Sequence, residues 1–153
     1  MFSFSIQSRA QTVYDSQNIN LLSVWDDTSV PPEPTYSIRY NGIWGWDDGM
    51  GHEYAIIGAT TGVYFIDITN PTAPMEVDFV AGRRNGCIWR EIKTYRHYAY
   101  LVSDDASPNS FQIVDLQYLP DSVSVVHDGT SIFERAHTIF VDGNKLYGGI
   151  VRK

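Results

Sequence analysis

The histidines are the residues of this sequence best suited to bind a metal ion or to transfer a proton. An imidazole changes its charge near neutral pH and is a common ligand of Zn²⁺. The chain has four histidines, at positions 52, 97, 127 and 137. His137 stands immediately before the apolar run TIFV, so we expect it at the start of a strand. Of the four, His137 is therefore our candidate for a ligand or a catalytic group.

The segment SDDASPN, residues 103–109, combines two carboxylates with an amide. Oxygen atoms of these kinds are the ligands that Ca²⁺ requires, so Asp104, Asp105 and Asn109 are candidate calcium ligands. Asp, Ser and Asn are also the ordinary residues of turns, and the spacing of an EF-hand is missing. A plain loop is therefore the alternative interpretation. Two other acidic pairs lie at residues 26–27 and 47–48.

Several motifs and properties that would indicate other functions are missing from the sequence. It contains no Gly-x-Ser-x-Gly elbow, phosphate-binding loop, dinucleotide-binding glycine motif or His-Glu-x-x-His motif. The single cysteine, Cys87, rules out an intrachain disulfide, and its surroundings predict a small buried side chain. The net charge of −7 argues against nucleic acid as a partner. No stretch approaches the roughly 20 apolar residues of a transmembrane segment.

The first ten residues resemble the end of a secretory signal peptide. An apolar segment, Met1 to Ile6, is followed by the small residues Ser8 and Ala10, at the spacing of a cleavage site. We therefore expect residues 1–10 to be the remnant of a longer leader and the mature chain to begin near Gln11. This interpretation predicts an exported protein, secreted or displayed at the cell surface.

The candidate residues belong to a sequence that repeats itself at a spacing of about 40–50 residues. The stretch EYAIIGATTGVYFIDITNP, from Glu53, aligns with HYAYLVSDDASPNSFQIVDLQYLP, from His97. A third start is visible in RAHTIFVDGNKLYGGI, from Arg135. The repeat units lie near residues 42–84, 86–129 and 135–153, and the last of them is cut short.

Each complete unit reads as four short strands. In the second unit we place them at residues 88–94, 98–103, 111–116 and 122–127. These segments are rich in β-branched and aromatic residues, and turn-forming residues separate them. In the third unit, Asp142-Gly143-Asn144 predicts a tight hairpin. No apolar period of 3.6 residues persists for ten residues, so we expect no long helix. The fold class is therefore predicted to be all-β.

Four antiparallel strands at this spacing are typical of a β-propeller blade. We predict a partial β-propeller with two full blades, a truncated third blade and an additional N-terminal strand in NINLLSVWDD, residues 18–27. A sandwich of similar hairpins is the structural alternative. Because closed propellers use about four to eight blades, we expect either that the protein continues beyond Lys153 or that copies associate through the open blade face.

The repeat places the other candidate residues in recurring positions. His52 and His97 precede the second strand of successive units, which predicts blade-edge positions rather than a paired metal site. Asp67 and Asp115 recur near the end of the third strand, and we expect them to accept hydrogen bonds from a neighbouring loop. His137 would lie near the mouth of the channel. We expect the tryptophans of the first strands, Trp44, Trp46 and Trp89, in the core.

These motifs resemble those of a known family. VYFID, residues 63–67, and FQIVD, residues 111–115, resemble the LVIVD repeat, and WREIKTY followed by YAYLVSD is the most specific part of the likeness. Over residues 18–150 the chain is similar to the N-terminal half of choice-of-anchor B family proteins. The resemblance implies an exported bacterial protein with a β-propeller and a C-terminal surface anchor. It implies no catalytic residues.

Three functions follow as hypotheses. The first is an exported or cell-surface propeller that acts as a binding scaffold for a protein, peptide or carbohydrate ligand. Exposed aromatic side chains would form its binding platform, because they supply large contact area with little loss of entropy. The second is a metal-dependent hydrolase or lyase with His137 at the channel mouth. The third is a purely structural surface module.

Overall fold

A computed structural model of the chain describes residues 17–105 and 108–151. The predicted signal remnant, residues 1–10, lies outside this part of the chain. Within the described residues there are ten β-strands and no helix, so no helix there is long and apolar enough to cross a membrane. The strands are β1 (Tyr40–Asp47), β2 (Glu53–Ala59), β3 (Gly62–Asp67), β4 (Met75–Ala81), β5 (Arg90–Tyr95), β6 (Tyr98–Ser103), β7 (Phe111–Asp115), β8 (Ser124–Gly129), β9 (Thr138–Asp142) and β10 (Lys145–Gly149).

The strands form three antiparallel sheets in which neighbours in sequence are neighbours in space. The first sheet has the order β1-β2-β3-β4, the second has the order β5-β6-β7-β8, and β9 pairs with β10 in a two-stranded third sheet. The predicted all-β class and the four-stranded antiparallel units are confirmed. The propeller, as a ring around a channel, stays a prediction.

Tight turns define the hairpins. The pairs Ala59–Gly62 and Asp142–Lys145 each close a two-residue connection. In the second of these, Gly143 has a φ of +57°, a conformation that the primed hairpin turns require and that glycine adopts without strain. The hairpin predicted from Asp142-Gly143-Asn144 is therefore confirmed.

The first and second sheets pack face to face through a continuous apolar core. Because side chains alternate along a strand, one face of the first sheet presents Tyr54, Ile56, Val63 and Phe65, all buried. Burial of each large apolar side chain contributes about 1.5–3 kcal/mol. The second sheet covers them with Ile92, Ala99, Leu101, Val114 and Leu116.

The opposite face of the second sheet packs against the third sheet. Tyr100, Val102, Phe111 and Ile113 meet the connection before β9 and the hairpin itself. The same alternation therefore serves both interfaces, and the second sheet is covered on its two sides. The covering residues are Phe133, Ala136, Ile139 and Leu146.

The prediction of an N-terminal strand at residues 18–27 is wrong. Residues 17–39 contain an isolated bridge between Glu33 and Ile38 and no strand. Trp25 instead packs its ring against Tyr40 and Tyr64, at centroid distances of 5.7 and 5.0 Å. These side chains belong to the face of the first sheet that points away from the second sheet. The apolar residues of the segment therefore cover a sheet face and do not extend a sheet edge.

Two of the three tryptophans expected in the core lie at the surface. Trp44 is 37% exposed and Trp89 is 44% exposed, whereas Trp46 packs against the core as expected. The indole Nε1 of Trp44 donates to Thr94 Oγ1 at 2.9 Å. Trp44 lies in the middle of the edge strand β1, and Trp89 lies in the connection before β5.

Candidate functional site

The residues proposed from the sequence as metal ligands converge at one end of the second and third sheets. In an antiparallel sheet the end of β6, the start of β7 and the start of β5 lie at the same end. The start of β9 packs beside the start of β5. We call the residues gathered there the loop cluster, and they are Trp89, Asp104, Asp105, Asn109 and His137.

His137 and Asp104 form a close pair within the loop cluster. Nδ1 of His137 lies 3.0 Å from Oδ2 of Asp104, and the imidazole is half-exposed. The backbone holds both residues: Asp104 N donates to Trp89 O at 2.9 Å, and His137 N donates to Gly149 O at 3.1 Å. Since Nδ1 contacts the carboxylate, Nε2 is the ring nitrogen that a ligand would meet.

The carboxylate of Asp105 has a different partner. Its Oδ2 accepts hydrogen bonds from Trp89 N at 2.7 Å and from Ser103 Oγ at 3.1 Å. The carbonyl oxygen of Asp105 accepts from Arg135 Nη1 at 3.1 Å. Asp105 therefore fixes the backbone of Trp89 and the end of β6, and its carboxylate does not join the His137–Asp104 pair.

Asn109 is buried beneath the loop. Its Nδ2 donates to the carbonyl oxygen of Asp105 at 3.4 Å and lies 3.7 Å from the thiol sulfur of Cys87. The thiol is buried, as predicted for a small apolar side chain. Among residues 17–105 and 108–151, no group of three or more His, Cys, Asp or Glu is arranged to hold a metal ion.

An aromatic pair borders the loop cluster. The ring of Tyr36, 60% exposed, meets the ring of Trp89 edge to face, at a centroid distance of 6.3 Å and an interplanar angle of 70°. A turn fixes Tyr36, because its backbone N donates to Glu33 Oε2 at 2.9 Å. No sequence signal indicated Tyr36, which lies in an irregular segment outside the repeat.

A buried arginine next to Trp89 fixes the connection that leads into the loop cluster. Arg90, at the start of β5, donates from Nε to Ala59 O at 2.6 Å and from Nη2 to Arg84 O at 3.0 Å. Burial lowers the pKa of this guanidinium, because removal from water disfavours its charged form, while Cys87 and Asp105 oppose the shift. Arg90 thus ties the first sheet to the connection that carries Trp89.

The other histidines do not join the site. His52 and His97 lie in hairpins at the opposite end of the first and second sheets. Nδ1 of His52 contacts Asp48 Oδ2 at 2.5 Å, and this hydrogen bond lowers the pKa of Asp48 to about 2. The ring of His97 packs against Tyr98 at 4.2 Å. His127 packs against Phe111 at 5.8 Å.

The recurring aspartates have the structural role predicted for them. Asp67 Oδ1 accepts from Thr69 N at 2.8 Å, and Asp115 Oδ1 accepts from Gln117 N at 3.0 Å. Each carboxylate thus caps the turn that follows the third strand of its sheet. The prediction that they accept hydrogen bonds from a neighbouring loop is confirmed.

A second polar surface follows the first strands of the three sheets. The ammonium of Lys93 lies 4.1 Å from the centroid of the Trp44 ring and contacts the carboxylate of Glu91. Glu91 Oε1 also accepts from Thr138 Oγ1 at 3.4 Å. The sequence did not indicate the contacts among Lys93, Trp44, Glu91 and Thr138, because they depend on how the sheets pack.

Comparison of the chain with protein-family models, with curated proteins and with solved structures finds no match. The chemistry of the loop cluster and of the exposed sheet surfaces is therefore the basis for a function. An exposed tryptophan with a fixed backbone offers an apolar stacking surface. The adjacent imidazole and carboxylate offer hydrogen bonds to the polar groups of the same ligand.

Proposed function

We propose that this chain is a β-propeller repeat module of an exported or cell-surface protein and that it acts as a binding scaffold. The repeated topology favours a propeller. The first strands of the three sheets, β1, β5 and β9, are neighbours, and each sheet packs one face against the next sheet. Propeller blades are arranged around a channel in this manner. The resemblance to the LVIVD repeat and the choice-of-anchor B family supports the cellular location.

The exposed ring of Trp89 is the single observation on which the ligand-binding proposal depends. The two backbone groups of Trp89 are both used, since N donates to Asp105 and O accepts from Asp104. An aromatic side chain held in this way loses little conformational entropy when a ligand stacks on it. The His137–Asp104 pair supplies polar contacts beside the ring, and this combination favours a carbohydrate over a purely apolar ligand.

Ligand arrays test this proposal. The purified chain is applied to a glycan array and to a peptide array, and each hit is measured by calorimetry with the wild type and Trp89→Ala. We expect a carbohydrate hit whose affinity falls at least about tenfold in the variant, which corresponds to about 1.4 kcal/mol. Tyr118→Ala is the control, because Tyr118 is also an exposed aromatic residue and follows β7 at the opposite end of the sheet.

The arrays also separate the competing ligand classes. A peptide hit with the same dependence on Trp89 would retain the scaffold and replace the carbohydrate. Binding that is unchanged by Trp89→Ala would contradict the assignment of the loop cluster as the binding site. If neither array gives a hit, the purely structural surface module becomes the better explanation.

A metal-dependent hydrolase or lyase is the second candidate, favoured by the 3.0 Å contact between His137 and Asp104. A histidine oriented by a carboxylate is suited to general base catalysis or to metal ligation through its other nitrogen. Metal analysis of the purified chain tests this function. Stoichiometric Zn²⁺ or Ca²⁺ that is lost in His137→Ala and kept in His97→Ala would favour the enzyme over the scaffold.

Self-association belongs to the same proposal. Phe140 and Tyr147 are exposed on the face of the third sheet that points away from the second, with ring centroids 6.4 Å apart. A second copy could cover these rings, as the second sheet covers the equivalent face of the first. Light scattering tests this: a dimer that Phe140→Ser converts to a monomer supports association through the open face, and a monomeric wild type contradicts it.

A further inference from the structure

The dipeptide Asn-Gly occurs twice in this chain, at residues 41–42 and 85–86. In this dipeptide an asparagine side chain reacts readily with its own backbone, because glycine has no Cβ atom to shield its nitrogen and leaves the backbone most freedom. The two copies have contrasting surroundings, since one lies within β1 and the other in the connection between β4 and β5. The fold therefore decides which copy can react.

The second copy lies in an exposed bend. Arg83, Arg84, Asn85 and Gly86 are all exposed, and a Cβ atom on Gly86 would have no neighbour within 4 Å apart from the adjoining residues. Within the described parts of the chain, no hydrogen bond holds the side-chain amide of Asn85 or the backbone N–H of Gly86. The peptide between them can therefore rotate and bring the nitrogen of Gly86 onto Cγ of Asn85.

The first copy is held by close packing. A Cβ atom on Gly42 would lie 2.3 Å from the carbonyl oxygen of Arg90, so this glycine touches the second sheet. The carbonyl oxygen of Asn41 packs in the same way on Gly58, where a Cβ atom would lie 2.4 Å from it. Rotation of the peptide between Asn41 and Gly42 would disrupt these contacts and the pairing of β1 with β2. The first copy is thus an internal reference that the fold protects.

We propose that Asn85-Gly86 is a site of spontaneous covalent modification, at which the chain converts Asn85 into aspartate and isoaspartate. The nitrogen of Gly86 gives its proton to solvent base and forms a bond to Cγ of Asn85. The bond from Cγ to Nδ2 breaks, and Nδ2 leaves as ammonia, so that a succinimide ring results. Water then opens the ring. Attack at Cγ gives aspartate, and attack at the main-chain carbonyl carbon gives isoaspartate, whose main chain runs through the former side chain.

Isoaspartate at position 85 would lengthen a short connection that is fixed at both ends. Before the bend, Gly82 N donates to Thr61 O at 2.9 Å. After the bend, Cys87 N donates to Thr60 O at 3.2 Å. The bend therefore spans two points on the turn between β2 and β3, and isoaspartate inserts a further main-chain atom between them. We expect the longer of the two hydrogen bonds, at Cys87, to open.

The modification also affects the loop cluster. The carbonyl oxygen of Arg84, directly before Asn85, accepts from Nη2 of Arg90 at 3.0 Å. Trp89 lies between this arginine and Cys87 in sequence. A displaced bend therefore loosens both contacts that flank Trp89. The reaction at Asn85 needs no ligand, so this inference is independent of the binding function proposed above.

Ageing of the purified whole chain tests the site. The chain is kept in mildly alkaline buffer, samples are digested with pepsin at acid pH, where the reaction is suppressed, and the peptides are analysed by mass spectrometry. We expect the peptide with Asn85 to gain the mass difference between an amide and a carboxyl group and to separate into two products of equal mass. We expect Asn41 to react at least about tenfold more slowly, which corresponds to about 1.4 kcal/mol in activation free energy.

Two controls separate the effect of the fold from that of the sequence. In concentrated urea, Asn41 and Asn85 should react at similar rates, because packing then holds neither peptide. Asn85→Gln keeps an exposed amide, but its longer side chain would have to form a larger ring. We therefore expect this variant to remain unmodified at position 85.

Hydrogen exchange tests the effect on the connection. The aspartate and isoaspartate peptides separate by chromatography, so exchange at the amide of Cys87 is measured in each of them. We expect exchange to be about tenfold faster in the isoaspartate form than in the unmodified chain, because the hydrogen bond to Thr60 opens. Asn85→Asp carries the charge of the products without the further main-chain atom, and we expect it to exchange like the unmodified chain.

Three results would overturn the proposal. They are an unchanged mass at Asn85 when the urea-unfolded chain has reacted, reaction of Asn41 as fast as Asn85 in the folded chain, and the same mass gain in Asn85→Gln. Unchanged exchange at Cys87 in the isoaspartate form would contradict the effect on the loop cluster. Glycan binding is not measured in any of these experiments, so their failure is distinguishable from failure of the binding proposal.

Discussion

Arg90 donates a hydrogen bond from Nε to the carbonyl oxygen of Ala59, at 2.6 Å, and thereby connects the first strand of the second sheet to the last residue of β2. Glycines make room for this side chain. A Cβ atom at Gly82 would lie 2.3 Å from Nη2 of Arg90, and one at Gly58 would lie 2.9 Å from its Cβ. The contact between the two sheets therefore depends on close backbone approach as well as on the apolar core.

Substitution of Gly58 tests this close approach. In Gly58→Ala, the new methyl group would lie 2.4 Å from the backbone oxygen of Asn41, which cannot move without disturbing β1. We expect the free energy of unfolding to fall by about 1–3 kcal/mol, as for other overpacked sites. Gly45→Ala is the control, because no atom lies within 4 Å of its Cβ position. Urea unfolding of both variants measures the difference, and equal stability would contradict the packing argument.

The covering role of the N-terminal segment is tested at Trp25. Trp25→Ala removes the ring contacts with Tyr40 and Tyr64 and exposes the outer face of the first sheet. We expect a loss of about 2 kcal/mol, less than for a fully buried tryptophan because the ring is half-buried. Val24→Ala, at an exposed position, should change the stability by less than about 0.5 kcal/mol. If thermal unfolding gives the same midpoint for both variants, packing of this segment on the first sheet does not contribute to stability.

A polar contact between sheets is tested at Asp78. Its Oδ2 accepts from Val123 N, in the connection between β7 and β8, at 2.8 Å. Asp78→Ala leaves this partly buried N–H without its acceptor, and we expect a loss of about 1–3 kcal/mol. Glu76→Ala on the same strand removes an exposed carboxylate and should have little effect. Guanidinium unfolding provides the comparison, and a loss in Glu76→Ala as large as in Asp78→Ala would contradict it.

The Asp48–His52 contact makes stability depend on acid pH. The hydrogen bond from His52 lowers the pKa of Asp48 in the folded chain to about 2, below the value of about 3.9 expected when unfolded. The contribution of Asp48 is therefore complete above pH 4 and is lost as the pH falls from about 4 to about 2. Wild type and Asp48→Asn should differ in stability at pH 6 and converge near pH 2 in a urea series. Asp47→Asn, which removes the neighbouring carboxylate of the same turn, is the control variant in this series.

Strand positions were predictable because they depend on local pattern. The second strand of the second unit, predicted at residues 98–103, is β6 with the same bounds, and the third differs from β7 by one residue. Alternation of apolar residues and the turn residues between them are sufficient for this. The N-terminal strand failed because the pattern of residues 18–27 does not reveal whether its apolar side chains pair at an edge or cover a face.

Only part of the candidate site could be inferred from the sequence. His137 and Asp104 were both candidates, and the repeat brought them to the same end of their sheets. The packing between sheets determines the rest. It decides that His137 contacts Asp104, that Asp105 turns towards Trp89, and that Trp89 is exposed. Tyr36 comes from a segment outside the repeat, so no pattern could have connected it with Trp89.

The meander topology of the sheets has a consequence for the folding kinetics. Among the ten strands of the described residues, each pairing joins consecutive strands, so the ladders close short loops and the relative contact order is low for an all-β fold. Each sheet can then nucleate within its own stretch of sequence, and docking of one preformed sheet on the next follows, as in repeat arrays. Synthesis from the N-terminus would therefore deliver the first sheet, already able to fold, before the second has been translated.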